Sequence, residues 1–472
     1  MARKKVRKAG GRAQAQRQAV QRQQAKRQQM QRQQMSGKQV ERQQIERERA
    51  KRQQEGQRRE QLLIQQRQEM QERQEMLRRQ QMQMRGEPKQ EGERRKKKAR
   101  RFYDYDLLVV IIFLTAFGLI MIYSSSAYNA QVSGQPSTYY MMRQGGIAVV
   151  GFIMMLIISK IDYHFFAKFA VPAVVVSYIC EFLVTFTPLG IAVNGKKRWL
   201  GTRSLRFQPA ELVKIVMILF LAVVITRLGK RINEWRVWGM LVVLLGPLAL
   251  FVTLNNLSSG IIICGIAFVM MFVACKRKWP FILVVAALIV VIVFAPPVAI
   301  AMEKAGILHS YQLSRILVWK NPEAYPKSGG YQVLQGLYAI GSGGLLGKGL
   351  GQSIQKLSFL PEPQNDMIFA VICEELGLFG AIAVIFMFLF MLYRFLVIAG
   401  NAPDLFGAML VTGVLAHIAI QVVLNIAVVT NVIPNTGITL PFISYGGTSV
   451  LFLMVEMGMV LSVSNRIRLE QA

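Results

Sequence analysis

The chain has 472 residues, 57 Lys+Arg against 26 Asp+Glu, a formal net charge of +31, and yet is 53% hydrophobic. The first 101 residues hold 32 of the basic and 11 of the acidic residues, and the other 371 carry nearly all the long apolar runs, so charge and hydrophobicity occupy different stretches. This excludes a soluble enzyme with one globular core, and it excludes a secreted disulfide scaffold. Runs such as Leu107 to Tyr123 and Phe281 to Ile300 match the roughly 20 apolar residues that cross a bilayer. The four cysteines, Cys180, Cys264, Cys275 and Cys373, lie in or beside apolar segments without metal-ligand spacing and read as small packing residues.

Residues 1–101 form a basic tail dominated by Gln, Arg, Lys and Glu, expected to be disordered or loosely helical because it cannot bury a core. It lacks the apolar stretch of a signal peptide. Arg94 to Arg101 places seven basic residues just before the first span, which suits either a solvated spacer that sets topology or an arm held to anionic membrane lipids. Nucleic acid is not an expected partner, since the basic run has no interleaved aromatics.

Residues 102–472 read as an all-α integral membrane domain. Hydropathy predicts ten helices near 107–127, 142–159, 168–187, 210–227, 237–254, 257–275, 280–301, 367–393, 405–430 and 442–463. With a cytoplasmic tail, the inner connections carry Lys160, Lys230/Arg231/Arg236, Lys276/Arg277/Lys278, Arg394 and Arg466/Arg468, the positive-inside pattern, and both termini are cytoplasmic.

Two outer connections depart from that pattern. The first, Thr187 to Pro209, holds Lys196, Lys197, Arg198, Arg203 and Arg206 with no acid, which favours an anionic ligand such as a phosphate or pyrophosphate over cations that snorkel to headgroups. The second, about Met302 to Asp366, is far longer than usual helix connections; its spaced apolar residues and the glycine-rich Gly341 to Gly351 predict short interfacial helices and tight turns on the outer surface. The glycines do not form a nucleotide P-loop.

Ionisable and polar groups inside spans are functional candidates by cost. Glu211 and Lys214, three apart on the fourth span, suit either a self-neutralising pair or a site role. His417, Gln421 and Asn425 recur every four residues on the ninth span and read as helix-to-helix hydrogen bonding. Glu374 and Glu375 lie about 12 Å along the eighth span from Asp366, too far to share its proton chemistry; Glu181 and Glu456 are isolated. Asp366 stands at the surface end of the eighth span, where a carboxylate suits either a general base or a helix N-terminal acid favoured by the macrodipole.

Three longer motifs then appear in order. They are Asn194-Gly-Lys-Lys-Arg-Trp-Leu200 with Phe207 to Lys214, Gly349 to Leu357 with Leu360 to Gly377, and Pro434 to Gly447. They resemble the SEDS family of polytopic proteins, FtsW, RodA and SpoVE, over about residues 105–468, with wording closer to the FtsW/SpoVE branch. That resemblance implies a ten-helix bundle with a large extracytoplasmic loop between helices 7 and 8. It also implies residence in the bacterial plasma membrane, glycosyl transfer on lipid II, and Asp366 as the essential aspartate. Lys197, Arg198, Arg206, Glu211, Lys214, Lys356 and Glu362 become substrate-binding candidates, and a class B penicillin-binding protein becomes the expected partner. It names no certain cofactor and leaves a divalent cation open. The chain departs from the family in reading Gln364-Asn-Asp-Met367 where His-Thr-Asp-Phe is usual, and Asn255 to Gly260 where an acidic turn is common. A lipid II flippase and a noncatalytic scaffold for a transpeptidase are the competing functions.

Overall fold

In the computed structural model, residues 69–73, 75–76, 101–193, 196–201, 206–304 and 311–468 are described. The chain divides into Met1–Lys97 and Lys98–Ala472. In the first unit, residues 69–73 and 75–76 are helical, and the rest of the tail lies outside the described residues.

The second unit is helical throughout its apolar part. Its helices are α1 Tyr105–Val132, α2 Tyr139–Lys160, the short α3 Tyr163–Ala167, α4 Ala170–Phe186, α5 Pro209–Leu228, α6 Trp235–Asn255, α7 Leu257–Ala274 and α8 Trp279–Lys304. After two more short helices, α9 Tyr311–Lys320 and α10 Gly330–Gly343, come α11 Ile368–Gly400, α12 Leu405–Val429 and α13 Thr448–Ser464. Among the described residues, eight helices are long and apolar enough to cross a membrane, and α4 and α13 are shorter apolar helices where the third and tenth spans are expected.

The last expected span starts six residues late, at Thr448 rather than 442. Phe442 has φ +62° and Gly447 φ +52°, and neither conformation continues a right-handed helix, so Ile438 to Gly447 forms an irregular segment instead.

Helix starts are fixed by side chains. Asp104 accepts from Leu107 N at 2.9 Å before α1, and Asp404 accepts from Gly407 N at 2.7 Å before α12. Asp104 is also clasped by Arg394 at 2.8 and 3.1 Å, which ties the start of α1 to the far end of α11. There the two-residue strands β1, Arg101–Phe102, and β5, Ile467–Arg468, pair antiparallel. At the opposite end, β2 (Ile191–Val193), β3 (Lys196–Gly201) and β4 (Arg206–Phe207) form a small antiparallel sheet between α4 and α5.

The core centres on α5 and α12, which are buried along most of their length. Their close approach depends on Gly413, where a Cβ would stand 2.5 Å from Ile218 Cγ2. By contrast α8 presents nearly all of its apolar side chains outward, as a helix in lipid does.

Helix α11 is broken. At 33 residues it would measure about 50 Å, longer than a 30 Å hydrocarbon core requires, but Gly377 takes φ +67° and interrupts it. The glycine-rich turn supplies the hydrogen bonds the interruption frees. Lys348 N and Gly349 N donate to the carbonyls of Glu374 and Glu375 at 3.0 and 2.9 Å, and Leu378 N and Phe379 N donate to Gly344 and Leu345 at 2.9 and 3.2 Å.

Candidate active site at the Asp366 end of the bundle

The segment Leu360 to Met367 brings Asp366 to the end of the bundle opposite Asp104. Met367 takes the N-cap position of α11 without a side-chain cap bond, so Asp366 stands one residue outside the helix.

Two other segments close around Asp366. Asn425 of α12, fully buried, donates through Nδ2 to Asp366 O at 3.0 Å and to Ile438 O at 2.6 Å. Tyr445 N donates to Gln364 O at 2.9 Å. The turn at Gly437 has φ +71°, and a Cβ there would lie 3.7 Å from Asp366 Oδ2. Four residues upstream, Glu362 is exposed with φ +48°, and Asn365 donates to its carboxylate and to its carbonyl. Burial pushes the Asp366 carboxyl up to about 7, the Glu362 carboxylate adds to this, and Arg315 opposes it.

Arg315 was invisible as a site residue in the sequence, where it is one basic residue among the spaced apolar ones of the long loop. In the structure its NH1 donates to Asn435 O at 2.9 Å. Asn435 Nδ2 donates in turn to Gln332 Oε1 of α10 at 3.1 Å.

The basic hairpin shows where three of its cations go. Lys197 Nζ donates to Thr187 O at 3.1 Å and is exposed. Arg198 Nε donates to Asn255 O at 3.0 Å, and Arg198 lines a small cavity with Glu181, Gln208 and Asn255. The buried Nε of Arg206 has no hydrogen-bond partner. Arg203 lies outside the described residues.

Glu211 and Lys214 are both buried and pair at 2.9 Å, the self-neutralising arrangement. Lys356 is likewise spent internally: its Nζ lies 2.7 Å from Glu375 and 2.9 Å from Ser124 Oγ, and the side chain is 8% exposed. Glu374 pairs with Lys348 at 2.7 Å and accepts from Ser353 Oγ and from Ile354 N. Both glutamates thus anchor the loop from Lys348 to Lys356 onto α11, a role their depth alone did not reveal. Glu456, isolated in the sequence, meets His417 Nδ1 at 2.8 Å, and His417 Nε2 contacts Gln421 Oε1 at 2.9 Å. Gln421 passes the stripe on to Thr439 O at 3.0 Å, so the expected helix-to-helix bonding is present. Among the described residues no cluster of three or more His, Cys, Asp or Glu is assembled that would hold a metal ion.

Eight long apolar helices among the described residues, with a polar stripe on α12 and a loop-built acidic cradle at one end, define a multi-pass membrane protein. The FtsW/RodA/SpoVE family, described as cell cycle protein, matches residues 105–469, and the chain belongs to that family. It is 37% identical to stage V sporulation protein E of Bacillus subtilis (strain 168), an alignment covering 76% of this chain and 96% of that one. It is 35% identical to the probable peptidoglycan glycosyltransferase FtsW of Trichlorobacter lovleyi, covering 78% and 94%. A chain of a solved peptidoglycan synthase complex, one that coordinates polymerization and crosslinking, superposes with a TM-score of 0.63 at 26% identity over 78% of this chain and 99% of that chain. Thermus thermophilus RodA shares the fold, with a TM-score of 0.56 at 24% identity over 78% of this chain and 98% of that chain.

Proposed function

We propose that this chain is a peptidoglycan glycosyltransferase that polymerises lipid II at the outer face of the bacterial plasma membrane, with both termini cytoplasmic and a class B penicillin-binding protein as partner. The observation that carries the reading is the Asp366 carboxyl, partly buried at the end of the bundle and pushed up to about 7, so that it exchanges its proton near neutrality. A carboxylate fully ionised at pH 4 would be a weaker base, and one buried deeper in the bundle would not meet a substrate headgroup.

In this mechanism Asp366 takes the proton of the acceptor GlcNAc 4-hydroxyl as that oxygen attacks the anomeric carbon of the donor MurNAc. The new O–C bond forms while the bond from that carbon to the phosphate oxygen breaks, and undecaprenyl pyrophosphate leaves with the electron pair. The anomeric centre inverts. Asp366 then releases its proton to water. Pyrophosphate is a good leaving group, so no second carboxyl acting as general acid is needed, and cations that bind it supply the remaining stabilisation. Lys197, Arg198 and Arg206 serve as the electrostatic funnel for that headgroup, and Glu362 adds to the burial that raises the proton affinity of Asp366. Glu211, Lys214 and Lys356, being buried in pairs, act by holding the scaffold.

The test is polymerisation of purified lipid II by the full chain with its transpeptidase partner. Wild type is expected to make glycan polymer, and Asp366→Asn is expected to bind lipid II and the partner but make none. Polymer formation at the wild-type rate by Asp366→Asn would sink the assignment.

A further inference from the structure

Arg315 belongs to none of the motifs that carry the polymerase reading, yet the fold delivers it to the same turn that abuts Asp366. Helix α9 is seated by the buried side chains of Leu317 and Val318. Its residues Arg315 and Trp319, one turn apart, donate to the carbonyls of Asn435 and Asn431, at 2.9 and 3.0 Å. Four residues on the helix thus match four residues of the opposing segment, and two rungs fix α9 along it. The Arg315 rung ends on the turn Asn435–Gly437, which Asn435 Oδ1 closes by accepting from Gly437 N at 3.0 Å. The other side of that turn is Gly437, against Asp366 Oδ2. The guanidinium and the carboxylate therefore flank one tight turn, and the positive charge acts directly on Asp366.

We propose that Arg315 binds the pyrophosphate of the donor lipid and stabilises its charge as it leaves; this rests on the polymerase reading of Asp366. In an inverting displacement the base holds the attacking oxygen, and the leaving phosphate stands across a single carbon from it. A cation for that phosphate must then lie near the base, and Arg315 is bonded to the turn that abuts Asp366. A guanidinium suits the task because it offers five donors in a planar fork that matches phosphate oxygens. The bond from NH1 to Asn435 O orients that plane before any substrate arrives, which preorganises the charge. Hairpin cations gather the headgroup from the membrane surface; Arg315 acts at the bond that breaks.

The experiment measures binding of undecaprenyl pyrophosphate and undecaprenyl monophosphate to the detergent-solubilised full chain, and alongside it kcat and KM for lipid II with the partner present. Arg315→Gln is expected to weaken the pyrophosphate lipid by on the order of tenfold or more, the loss of a charge-assisted contact. It should weaken the monophosphate less, and lower kcat, while the thermal midpoint stays near that of wild type. Arg315→Lys, which keeps the charge without the fork, is expected to recover part of both. Pyrophosphate-lipid affinity unchanged in Arg315→Gln overturns the proposal, as does a shifted pH profile with no change in affinity, which would leave Arg315 only a modulator of Asp366. If Arg315→Gln does not fold, Arg315→Lys decides: a several-fold weaker pyrophosphate affinity supports the proposal and an unchanged one overturns it. Binding is read without turnover, so the two readings fail separately. A wild-type protein that binds the lipid through Arg315 and makes no polymer refutes the polymerase reading alone.

Discussion

The side-chain amide of Asn425 holds two carbonyls at once, Asp366 O at 3.0 Å and Ile438 O at 2.6 Å, and so joins two segments separated by two helices, α11 and α12, in the chain. The bond from Asn425 to Asp366 goes to the backbone carbonyl, so it acts on the reaction through the backbone. Asn425→Leu is isosteric but lacks both donors. It is expected to lower kcat at least tenfold, because a small displacement of a reacting group is enough to do so, while lipid II affinity stays within a few-fold of wild type. Single-turnover polymerisation compared with lipid II binding checks the split; equal losses in both would make Asn425 part of the binding surface.

The proton affinity of Asp366 has consequences for stability as well as rate. Its folded-state value, about 7, lies above the ordinary 3.8, so between those values the native chain holds a proton the unfolded chain has lost. Stability from this group is therefore full at low pH, falls as pH rises toward about 7, and is flat beyond. Asp366→Asn, which carries no charge at any pH, is expected to melt above wild type at pH 8 and with it near pH 4. Thermal midpoints measured across that range decide, and a constant difference between the two proteins would refute the sign. The polymerisation rate of wild type should rise with pH through the same interval as the base ionises.

The three hairpin cations give a comparison with an internal control. Neutralising Lys197, Arg198 and Arg206 together is expected to weaken lipid II binding by more than tenfold, whereas neutralising Lys276, Arg277 and Lys278 should leave it unchanged. Titration of both variants with lipid II in neutral detergent measures this. Equal losses would mean that the basic residues attract anionic lipid without selecting a headgroup.

Lys356 and Glu375 form a pair that is expensive to break and cheap to replace. Lys356→Met leaves the Glu375 carboxylate buried without its cation and is expected to cost on the order of 3–5 kcal/mol. Adding Glu375→Gln should return most of that loss, because the carboxylate needing a cation is then gone. Detergent thermal melts of the two single variants and the double variant complete the cycle. A double variant as unstable as Lys356→Met would show that the loop depends on the charges themselves.

The tail offers the broadest test of the division of the chain. Removal of residues 2–90, keeping Glu91 to Arg101, is expected to leave orientation and polymerisation with the purified partner intact, since the seven basic residues before the first span remain. Loss of polymerisation by a correctly inserted truncation would assign the tail a part in catalysis or partner activation.

Much of this architecture was legible in the sequence because hydropathy alone sets a span. The starts of α5 at Pro209 and α12 at Leu405 fall at or next to the expected 210 and 405. The late start of α13 was not legible, since Phe442 and Ile443 look like span residues and only backbone geometry excludes them. Asp366 stood out as a candidate by its position and motif. Arg315 was missed because its partner is a carbonyl more than a hundred residues away, and a carbonyl leaves no mark in a sequence. Lys356 stood among the substrate-binding candidates, because nothing in its spacing or that of Lys348 shows that Glu374 and Glu375 wait behind the turn. His417, Gln421 and Asn425 were the opposite case, a period of four that announces one face and hence its bonding.

The contacts that hold the Asp366 segment come late in the chain: Asn425 is 59 residues further on, and Tyr445, which binds Gln364 O, later still. During synthesis the Asp366 segment is made before these residues exist. A nascent chain that ends before them therefore has the carboxylate without its cradle, and the Asp366 carboxyl takes up its raised proton affinity only after the Asn435–Gly437 turn has been made and folded back. Assembly itself thus delays the chemistry. Ribosome-bound chains arrested before Pro434 should insert their earlier helices normally and give no polymer, whereas release of the full length should start polymerisation without any added factor beyond the partner.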